Sequence, residues 1–375
     1  MTKGLTYFLL TALSLTACAR VDVFKQVEEQ AEVRFSTYAT RRTGTKAGSS
    51  FIGSGETFAE GDTIVVFGFY HPGSGSTDGS WAGDASNKPD FMYDQNVIKQ
   101  ADGSWAYSPI KYWPNSYRDG SDYIDKLSFW AYYPEHAVGK GLSLYASGTT
   151  TAYSNTTSGL PKLVFTQQED PDNMIDLLIA SPVKDIYKTQ THEVSDQTWT
   201  YGALTNGAVN LVFSHALALV DFELSEGTGA TIHELSLTNL YKTGTLADAG
   251  VLTWSNVTDL YDLEQDDDRE VVGTNILRLL LIPQTIHSDA TISMTFDIHF
   301  ESSDNTGDIV YSGESAEAKL FRNEGDANDY GVTAWLPGKH YIYRVSAGLD
   351  RIEFEEVVEG TEDWNSFGDP IQVSN

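Results

Sequence analysis

The sequence predicts an all-β protein made of two β-sandwich domains in tandem. Short apolar runs recur along the chain, mostly separated by Gly, Ser, Asn, Asp or Pro, which is typical of strands joined by turns. Thr, Tyr, Phe and Val are plentiful, whereas capping residues followed by apolar residues at helical spacing are scarce. Because 375 residues exceed one ordinary hydrophobic core, two domains are expected.

The N-terminal stretch "MTKGLTYFLLTALSLTAC" predicts a signal peptide over residues 1–17. Its apolar part, from Leu5 to Ala17, is shorter than the ~20 residues of a membrane-spanning helix and suits a signal-peptide core. The ending Leu-Thr-Ala-Cys18 resembles a bacterial lipoprotein lipobox, which implies a diacylglyceryl group on Cys18. An ordinary secretory signal with a cysteine nearby is the alternative. Cys18 is the one cysteine of the sequence, so no disulfide supports the fold.

A short basic segment follows, "ATRRTGTKAGSSF" at residues 39–51. Arg41, Arg42 and Lys46 lie within six residues of each other in a chain with 24 basic and 53 acidic residues. The segment has almost nothing apolar to bury and is rich in Gly, Thr and Ser, which are residues of exposed, protease-accessible loops. A plain surface loop, a binding patch and a cleavage site are all consistent with this pattern.

Strands account for most of the remaining chain. The run "DTIVVFGFY" after the Gly61-Asp62 turn is apolar on both faces, which predicts a buried central strand. The run "TISMTFDIHF" alternates strictly, with His299 on its polar face, which predicts a half-buried strand. Its apolar face comprises Ile292, Met294, Phe296, Ile298 and Phe300. Further predicted strands are "KLSFWAYYP", "KLVFT", "IDLLIA", "VNLVF", "LVDFEL", "LRLLLIP", "HYIYRV" and "RIEFE".

A domain boundary is predicted near residue 205. Residues 184–207 are polar and rich in turn formers, and a new apolar series begins at Val209. The predicted N-terminal sandwich is also rich in aromatic residues, in "SWAYSPIKYWP" and "LSFWAYYP". Packing in the core is the favoured interpretation of these aromatics, and exposed faces for binding sugars are the alternative.

Charge and motifs exclude several functions. The net charge of −29 argues against nucleic acid, since phosphate binding needs clustered Lys and Arg. The sequence contains no nucleophile elbow, P-loop, zinc-protease motif or dinucleotide fingerprint, so no enzyme and no cofactor are predicted. The acidic runs "QEDPDNMID" and "EQDDDRE" could hold Ca²⁺, but they lack the pattern of an EF-hand, so solvated turns are favoured and no metal is predicted.

Several phrases, taken in order, are similar to the fimbrillins, the type V pilus subunits and related surface lipoproteins of Bacteroides-type bacteria. Singly they are weak patterns, but their order spans most of the exported chain. They are the lipobox at Cys18, "VRFST", "TRRTGTKAG", "FAEGDTIVVFGFY", "YWP", "LSFWAYYPE", "IDLLIAS", "VNLVFSHALALVDFEL", "LLLIPQ" and "LPGKHYIYRVS".

The resemblance implies two transthyretin-like sandwiches, over residues 43–205 and 206–375, behind a lipidated pro-segment at 18–42. In polymerising members an arginine-directed protease cuts after the first strand, and a strand from a neighbouring subunit fills the groove. Carried onto this chain, the removable strand lies around Glu32–Thr37, with Val33 and Phe35 facing inward. The cut follows Arg41 or Arg42.

The resemblance also implies partners and a location. The partners are other pilin subunits, the outer membrane through the lipid on Cys18, and a host or bacterial surface ligand. The donor strand would come from the tail "EDWNSFGDPIQVSN", which offers Trp364, Phe367, Ile371 and Val373. Completion of its own C-terminal domain by the tail is the alternative. The predicted location is the outer membrane, then the cell surface or fimbrium.

Two functions therefore stand side by side. The first is a structural and adhesive pilus subunit, matured by proteolysis and polymerised by strand addition. The second is a surface lipoprotein that does not polymerise, and instead binds glycans or serves as a pilus anchor or accessory protein. Replacement of Arg41 and Arg42 distinguishes them, because only the first requires a cut there.

Overall fold

The computed structural model describes thirteen stretches of the chain, and their regular secondary structure is almost entirely β-strand. They are residues 32–39, 58–82, 86–114, 123–191, 198–202, 207–224, 229–246, 252–265, 269–270, 275–300, 309–321, 332–347 and 352–363. The helical elements among them are two 3₁₀ turns, Glu135–Ala137 and Pro171–Asn173. The all-β prediction is confirmed. None of the described helices has the length and apolar character needed to cross a membrane.

Twelve described strands precede residue 225. They are β1 (Phe35–Ala39), β2 (Thr63–His71), β3 (Met92–Lys99), β4 (Trp105–Ala106), β5 (Lys126–Tyr133), β6 (Leu142–Tyr145), β7 (Lys162–Thr166), β8 (Leu178–Ala180), β9 (Val183–Thr191), β10 (Thr198–Gly202), β11 (Val209–His215) and β12 (Ala218–Leu224).

Ten described strands follow. They are β13 (Gly229–Leu246), β14 (Trp254–Gln265), β15 (Arg269–Glu270), β16 (Asn275–Leu281), β17 (Gln284–Thr285), β18 (Thr291–Phe300), β19 (Ile309–Lys319), β20 (Ala334–Trp335), β21 (Lys339–Ala347) and β22 (Ile352–Asp363).

The first large sheet has the order β1-β11-β8-β5-β2-β3-β4, with β9 paired to β5 and β10 paired to β9. Its central strand β2 is buried on both faces, as its sequence predicts, because the sheet separates two cores. Val65 and Phe67 enter one hydrophobic cluster, whereas Ile64 and Val66 enter the other. We call the cluster that contains Ile64 and Val66 the N-terminal core. It also contains Val33, and the candidate site described below is built on it.

The remaining strands form two more large sheets and one short pair. One sheet has the order β19-β18-β13-β7-β6, with β14 and β15 also paired to β13. The other has the order β16-β12-β21-β22, and β17 pairs with β20. In β18 the residues Ile292, Met294 and Phe296 are buried, in agreement with the predicted alternation. The side chains of 298–300 lie outside those that the structure describes.

Among the described strands, three ladders cross residue 205. Strand β11, which follows that residue, hydrogen-bonds to β8 and β1 in the first sheet. Strand β7, which precedes it, pairs with β13 so that Thr166 lies opposite Thr243. The division into two domains at residue 205 remains a prediction, and any such division must accommodate these three ladders.

Candidate functional site: the seat of the N-terminal strand

The N-terminal strand β1 lies at one edge of the first sheet. It runs parallel to β11, with Phe35 opposite Val209 and Ala39 opposite Phe213. The Val209 N–H donates to the carbonyl oxygen of Arg34 at 2.8 Å, and this bond anchors the start of the ladder. On the outer side, Ser36 Oγ donates to Asn210 Oδ1 at 3.3 Å. Since β8 covers the other side of β11, loss of β1 would expose the backbone of β11 along one edge.

Alternate side chains of this segment point into the N-terminal core. Val33 is 1% exposed and Phe35 is 5% exposed, and Ala39 packs against the same cluster. The Phe35 ring meets Tyr107 and Phe129 edge to face, with ring centroids 5.7 and 5.4 Å apart. Edge-to-face contacts of this kind add stabilisation beyond the buried area alone. The segment is therefore an integral part of the core although it sits at a sheet edge.

A second segment holds the beginning of the strand from the opposite side. The Val33 N–H donates to the carbonyl oxygen of Lys111 at 2.9 Å, and Glu32 forms a single antiparallel bridge with Tyr112. The Tyr107 hydroxyl donates to the carbonyl oxygen of Val33 at 2.7 Å and accepts from the Lys111 N–H at 3.4 Å. We call these surroundings, formed by β11 and residues 107–113, the seat.

Tyr107 is a functional candidate that the sequence did not single out. Its side chain is buried, and burial raises the pKa of its phenol to about 12. The hydroxyl therefore stays protonated at any physiological pH and can always donate to the strand. Its place in the aromatic-rich run "SWAYSPIKYWP" was the available signal, but composition alone cannot show which aromatic hydroxyl meets a backbone carbonyl.

Most aromatic side chains of the two aromatic-rich segments pack in the hydrophobic cores, in agreement with the favoured interpretation of the sequence. Trp130 is 0% exposed and Tyr132 is 1% exposed, and Trp105, Trp113 and Tyr133 are also buried. Tyr112 is an exception at 41% exposed, beside the seat. These segments therefore line the seat and the cores instead of forming a broad aromatic face toward solvent.

The chain returns to the seat after the basic segment. Residues 40–57, which contain Arg41 and Arg42, lie outside the described residues, but both flanks are placed. Ala39 lies opposite Phe213, and the Phe58 ring lies 5.4 Å from that of Phe213. Eighteen residues could span roughly 60 Å when extended, so the segment is much longer than its two neighbouring ends require.

Six residues of the predicted sites fall outside the described residues. They are the lipidation site Cys18, the processing sites Arg41 and Arg42, and the donor-strand residues Trp364, Ile371 and Val373. The structure thus places Val33 and Phe35 of the predicted removable strand, and the other predicted sites remain predictions.

Two buried clusters of ionisable side chains lie elsewhere and have structural roles. His215 Nδ1 lies 2.8 Å from Asp176 Oδ1, at the end of β11. Asp221 receives two hydrogen bonds from Arg278, at 2.7 and 2.6 Å, and one from His340 at 2.8 Å. Burial alone would raise the pKa of Asp221, but these hydrogen bonds outweigh it and hold the pKa below its usual value. No group of three or more metal-ligating side chains occurs among the residues that the structure places.

Comparisons with known proteins agree with this architecture. A family model described as fimbrillin-like matches residues 37–364. A fimbrial protein from Bacteroides vulgatus superposes with a TM-score of 0.52 at 16% identity, covering 89% of this chain and 99% of that one. This likeness concerns the fold. No curated protein sequence matches the chain.

Two further solved structures show weaker similarity. A proposed cell adhesion protein from Bacteroides ovatus has a TM-score of 0.46 and 13% identity, with 88% of this chain and 96% of that one covered. The tip fimbrial protein Mfa3 from Porphyromonas gingivalis, truncated at its C-terminus, has a TM-score of 0.34 and 13% identity, with 80% and 93% covered.

Proposed function

Because the chain belongs to the fimbrillin-like family, we propose that it is a structural or adhesive subunit of a type V-like pilus. It is exported as a lipoprotein, cut after Arg41 or Arg42, and polymerised by strand addition. The observation that carries the proposal is the seat, where an edge strand fills a hydrophobic core immediately before a long basic segment.

The seat suits a strand that is present first and replaced later. Val33 and Phe35 fill the core while the subunit is unassembled, so the apolar surface beneath them is shielded from water. Once they leave, the edge of β11 and the aromatic rings below offer backbone hydrogen bonds and apolar pockets together. Strand addition uses both, because main-chain bonds supply affinity and alternate side chains supply specificity.

The position of the basic segment suits proteolysis. Its ends lie close together at Phe213, so a cut within it need not pull on the residues that flank it. Phe58, the first described residue beyond it, stays packed against Trp105, Tyr133 and Phe213. After cleavage, Phe58 and its aromatic neighbours therefore stay in place, and the segment that carries β1 can leave.

The lipid on Cys18 belongs to the same segment as β1. A cut after Arg41 or Arg42 separates the body from Cys18, so one event ends membrane anchoring and frees the seat. Each CH₂ group that an acyl chain buries in the membrane contributes ~0.8 kcal/mol, and stable anchoring needs more than one acyl chain. An uncut chain thus stays at the outer membrane, and a cut chain moves to the cell surface or fimbrium.

Replacement of both arginines tests the proposal. In cells that assemble the protein, Arg41→Ala with Arg42→Ala should abolish the high-mass polymer on unheated SDS gels and leave lipidated monomer. Lys46→Ala, in the same segment, is the matched control and should assemble normally. Unchanged assembly of the double variant would refute processing at these arginines as a requirement for polymerisation, whereas absence of polymer from the unaltered chain as well would favour the anchored lipoprotein that does not polymerise.

A further inference from the structure

A pocket without acidic, lysine or arginine side chains lies between β13–β14 and the short pair β17–β20. Its volume is about 710 Å³, which is within the usual range of small-molecule sites. Charged residues make up 21% of the chain, yet none of the fifteen described residues that line the pocket is Asp, Glu, Lys or Arg. A charged ligand would lose its hydration there without gaining a counter-charge, and the net charge of −29 would also repel an anion. The lining therefore favours an uncharged ligand.

Trp254 forms an aromatic wall of the pocket that is held in a fixed orientation. Its Nε1 donates to the carbonyl oxygen of Ala216 at 2.7 Å, and its ring meets Phe165 edge to face, with centroids 6.4 Å apart. The ring also lies close against β13 at Gly244, where an added Cβ would come within 2.7 Å of Trp254 Cε3. The side chain is only partly buried, so a ligand can reach its carbon surface without moving it.

The floor of the pocket has no unused polar side-chain group among those described here. Trp335 is 1% exposed, and its Nε1 donates to the Tyr343 hydroxyl at 3.0 Å. Gln284 Oε1 accepts from the Tyr241 N–H at 2.9 Å, and Gln284 Nε2 donates to the carbonyl oxygen of Ile282 at 3.0 Å. Because these groups bond within the protein, the floor contributes shape and carbon surface but no directed hydrogen bonds to a ligand.

The rim of the pocket carries the polar groups that a ligand can use. Thr253, Thr285 and Ser288 are exposed, and each hydroxyl can donate and accept a hydrogen bond. His287 Nδ1 accepts the N–H of Asp289 at 3.2 Å, so the proton of the neutral ring is on Nε2, which can donate. A purely apolar ligand would remove water from these groups without replacing their hydrogen bonds, which opposes its binding.

We propose that this pocket binds a neutral saccharide. A pyranose ring suits both parts of the pocket, because its C–H bonds can lie on the electron-rich face of Trp254 while its hydroxyls bond to the rim. It also carries no charge for the acidic chain to repel. As the ligand site of an adhesive subunit, the pocket rests on the proposed function, but sugar binding itself requires neither cleavage nor polymerisation.

An array of glycans, probed with the purified uncut chain, tests the proposal. Neutral hexose oligosaccharides should bind, and the same oligosaccharides capped with sialic acid or sulfate should bind at least about tenfold more weakly. The neutral oligosaccharide that binds most tightly is then titrated while tryptophan fluorescence is followed. Absence of binding to every neutral glycan on the array would overturn the proposal, and so would a preference for the anionic forms.

Variants of the rim locate the binding in this pocket. Thr285→Val with Ser288→Ala removes two hydroxyls at exposed positions, where the fold does not depend on them, and should weaken binding of the titrated oligosaccharide about tenfold. Ser315→Ala, at an exposed position of β19 outside the lining, is the matched control and should bind as the unaltered chain does. Equal affinity of the rim variant and the control would overturn the assignment of the sugar to this pocket.

A third variant tests the aromatic wall without altering the lining. Gly244 does not line the pocket, but Gly244→Ala places a methyl group against Trp254 and should weaken binding by displacing the indole. Unchanged affinity in a folded Gly244→Ala chain would contradict stacking on Trp254. All of these measurements use uncut chains, so their outcome is independent of cleavage at Arg41 or Arg42, and the two proposals fail separately.

Discussion

At the scale of single residues, Phe35 is the principal side chain that holds β1 in the seat. Phe35→Ala should lower the free energy of unfolding by about 3–5 kcal/mol, because it leaves a cavity between Tyr107 and Phe129. Urea denaturation of the uncut chain measures this. Tyr38→Ala is the control on the same strand, since Tyr38 is 39% exposed and its loss should change little. A comparable loss in both variants would show that β1 is not seated through Phe35.

Tyr107 contributes through its hydroxyl as well as its ring. Tyr107→Phe keeps the ring but removes the donor to the Val33 carbonyl, and should cost about 1–2 kcal/mol of unfolding free energy. Tyr112→Phe, at an exposed position beside the seat, should cost almost nothing. An equal effect in the two variants would contradict the role given to this hydrogen bond.

The same residue predicts a dependence on alkaline pH. Because the pKa of Tyr107 is raised to about 12 in the folded chain, its contribution is fully present below pH ~10 and is lost as the pH rises toward 12. Tyr107→Phe should therefore lose less stability than the unaltered chain between pH 10 and 12. Denaturation midpoints across that range provide the measurement, and parallel curves would count against the assignment.

At the scale of elements, Asp221 joins three neighbouring strands, β12, β16 and β21. Asp221→Asn should lower the free energy of unfolding by about 3 kcal/mol, because Arg278 loses its buried charged partner. Glu169→Gln removes an exposed pair with Lys242 and should change it by less than about 1 kcal/mol. Similar urea midpoints for the two variants would contradict the structural role of Asp221.

Acid should reduce the contribution of Asp221 to the stability of these strands. Since hydrogen bonds from Arg278 and His340 hold the pKa of Asp221 below its usual value, its contribution is present above the unfolded pKa and is lost as pH falls through the lower folded pKa. The difference between the unaltered chain and Asp221→Asn should therefore shrink in strong acid. If the two chains differ in unfolding free energy by the same amount down to pH 2, the lowered pKa of Asp221 is contradicted.

Hydrophobic periodicity in the sequence predicts which face of a strand is buried, but it does not predict which strands pair. The apolar run of β2 and the alternation of β18 predicted correctly which faces are buried, because side-chain direction is fixed by the strand itself. Periodicity does not encode partners. The parallel pairing of Phe35 with Val209, residues far apart in the chain, was therefore not foreseen. Neither was the ladder between β7 and β13.

The candidate site shows the same limit. The resemblance indicated that Val33 and Phe35 form an inward pair, and the alternation in "VRFST" is consistent with this. The contribution of Tyr107 depends on a hydrogen bond across 74 residues, which only the folded chain displays. Side-chain hydroxyls that meet a distant backbone carbonyl leave no local pattern, because the partner is chosen by the whole fold.

At the scale of the whole molecule, the chain combines a seat for an edge strand with a separate, mostly apolar pocket. The seat holds β1 at the edge of the first sheet, and the pocket lies between β13–β14 and the short pair β17–β20. In the seat, Val33 and Phe35 cover apolar surface that would otherwise be exposed to water. Under the proposed function, assembly depends on which strand covers the seat, and a cut after Arg41 or Arg42 would determine when β1 leaves it.

Identification of the first residue of the surface-assembled form tests this central claim most directly. Mass spectrometry with N-terminal sequencing of the purified polymer should find a chain that begins at Arg42 or Thr43 and lacks Val33 and Phe35. A polymer whose subunits still begin at Cys18 would contradict the account, because the seat would then remain filled by its own strand.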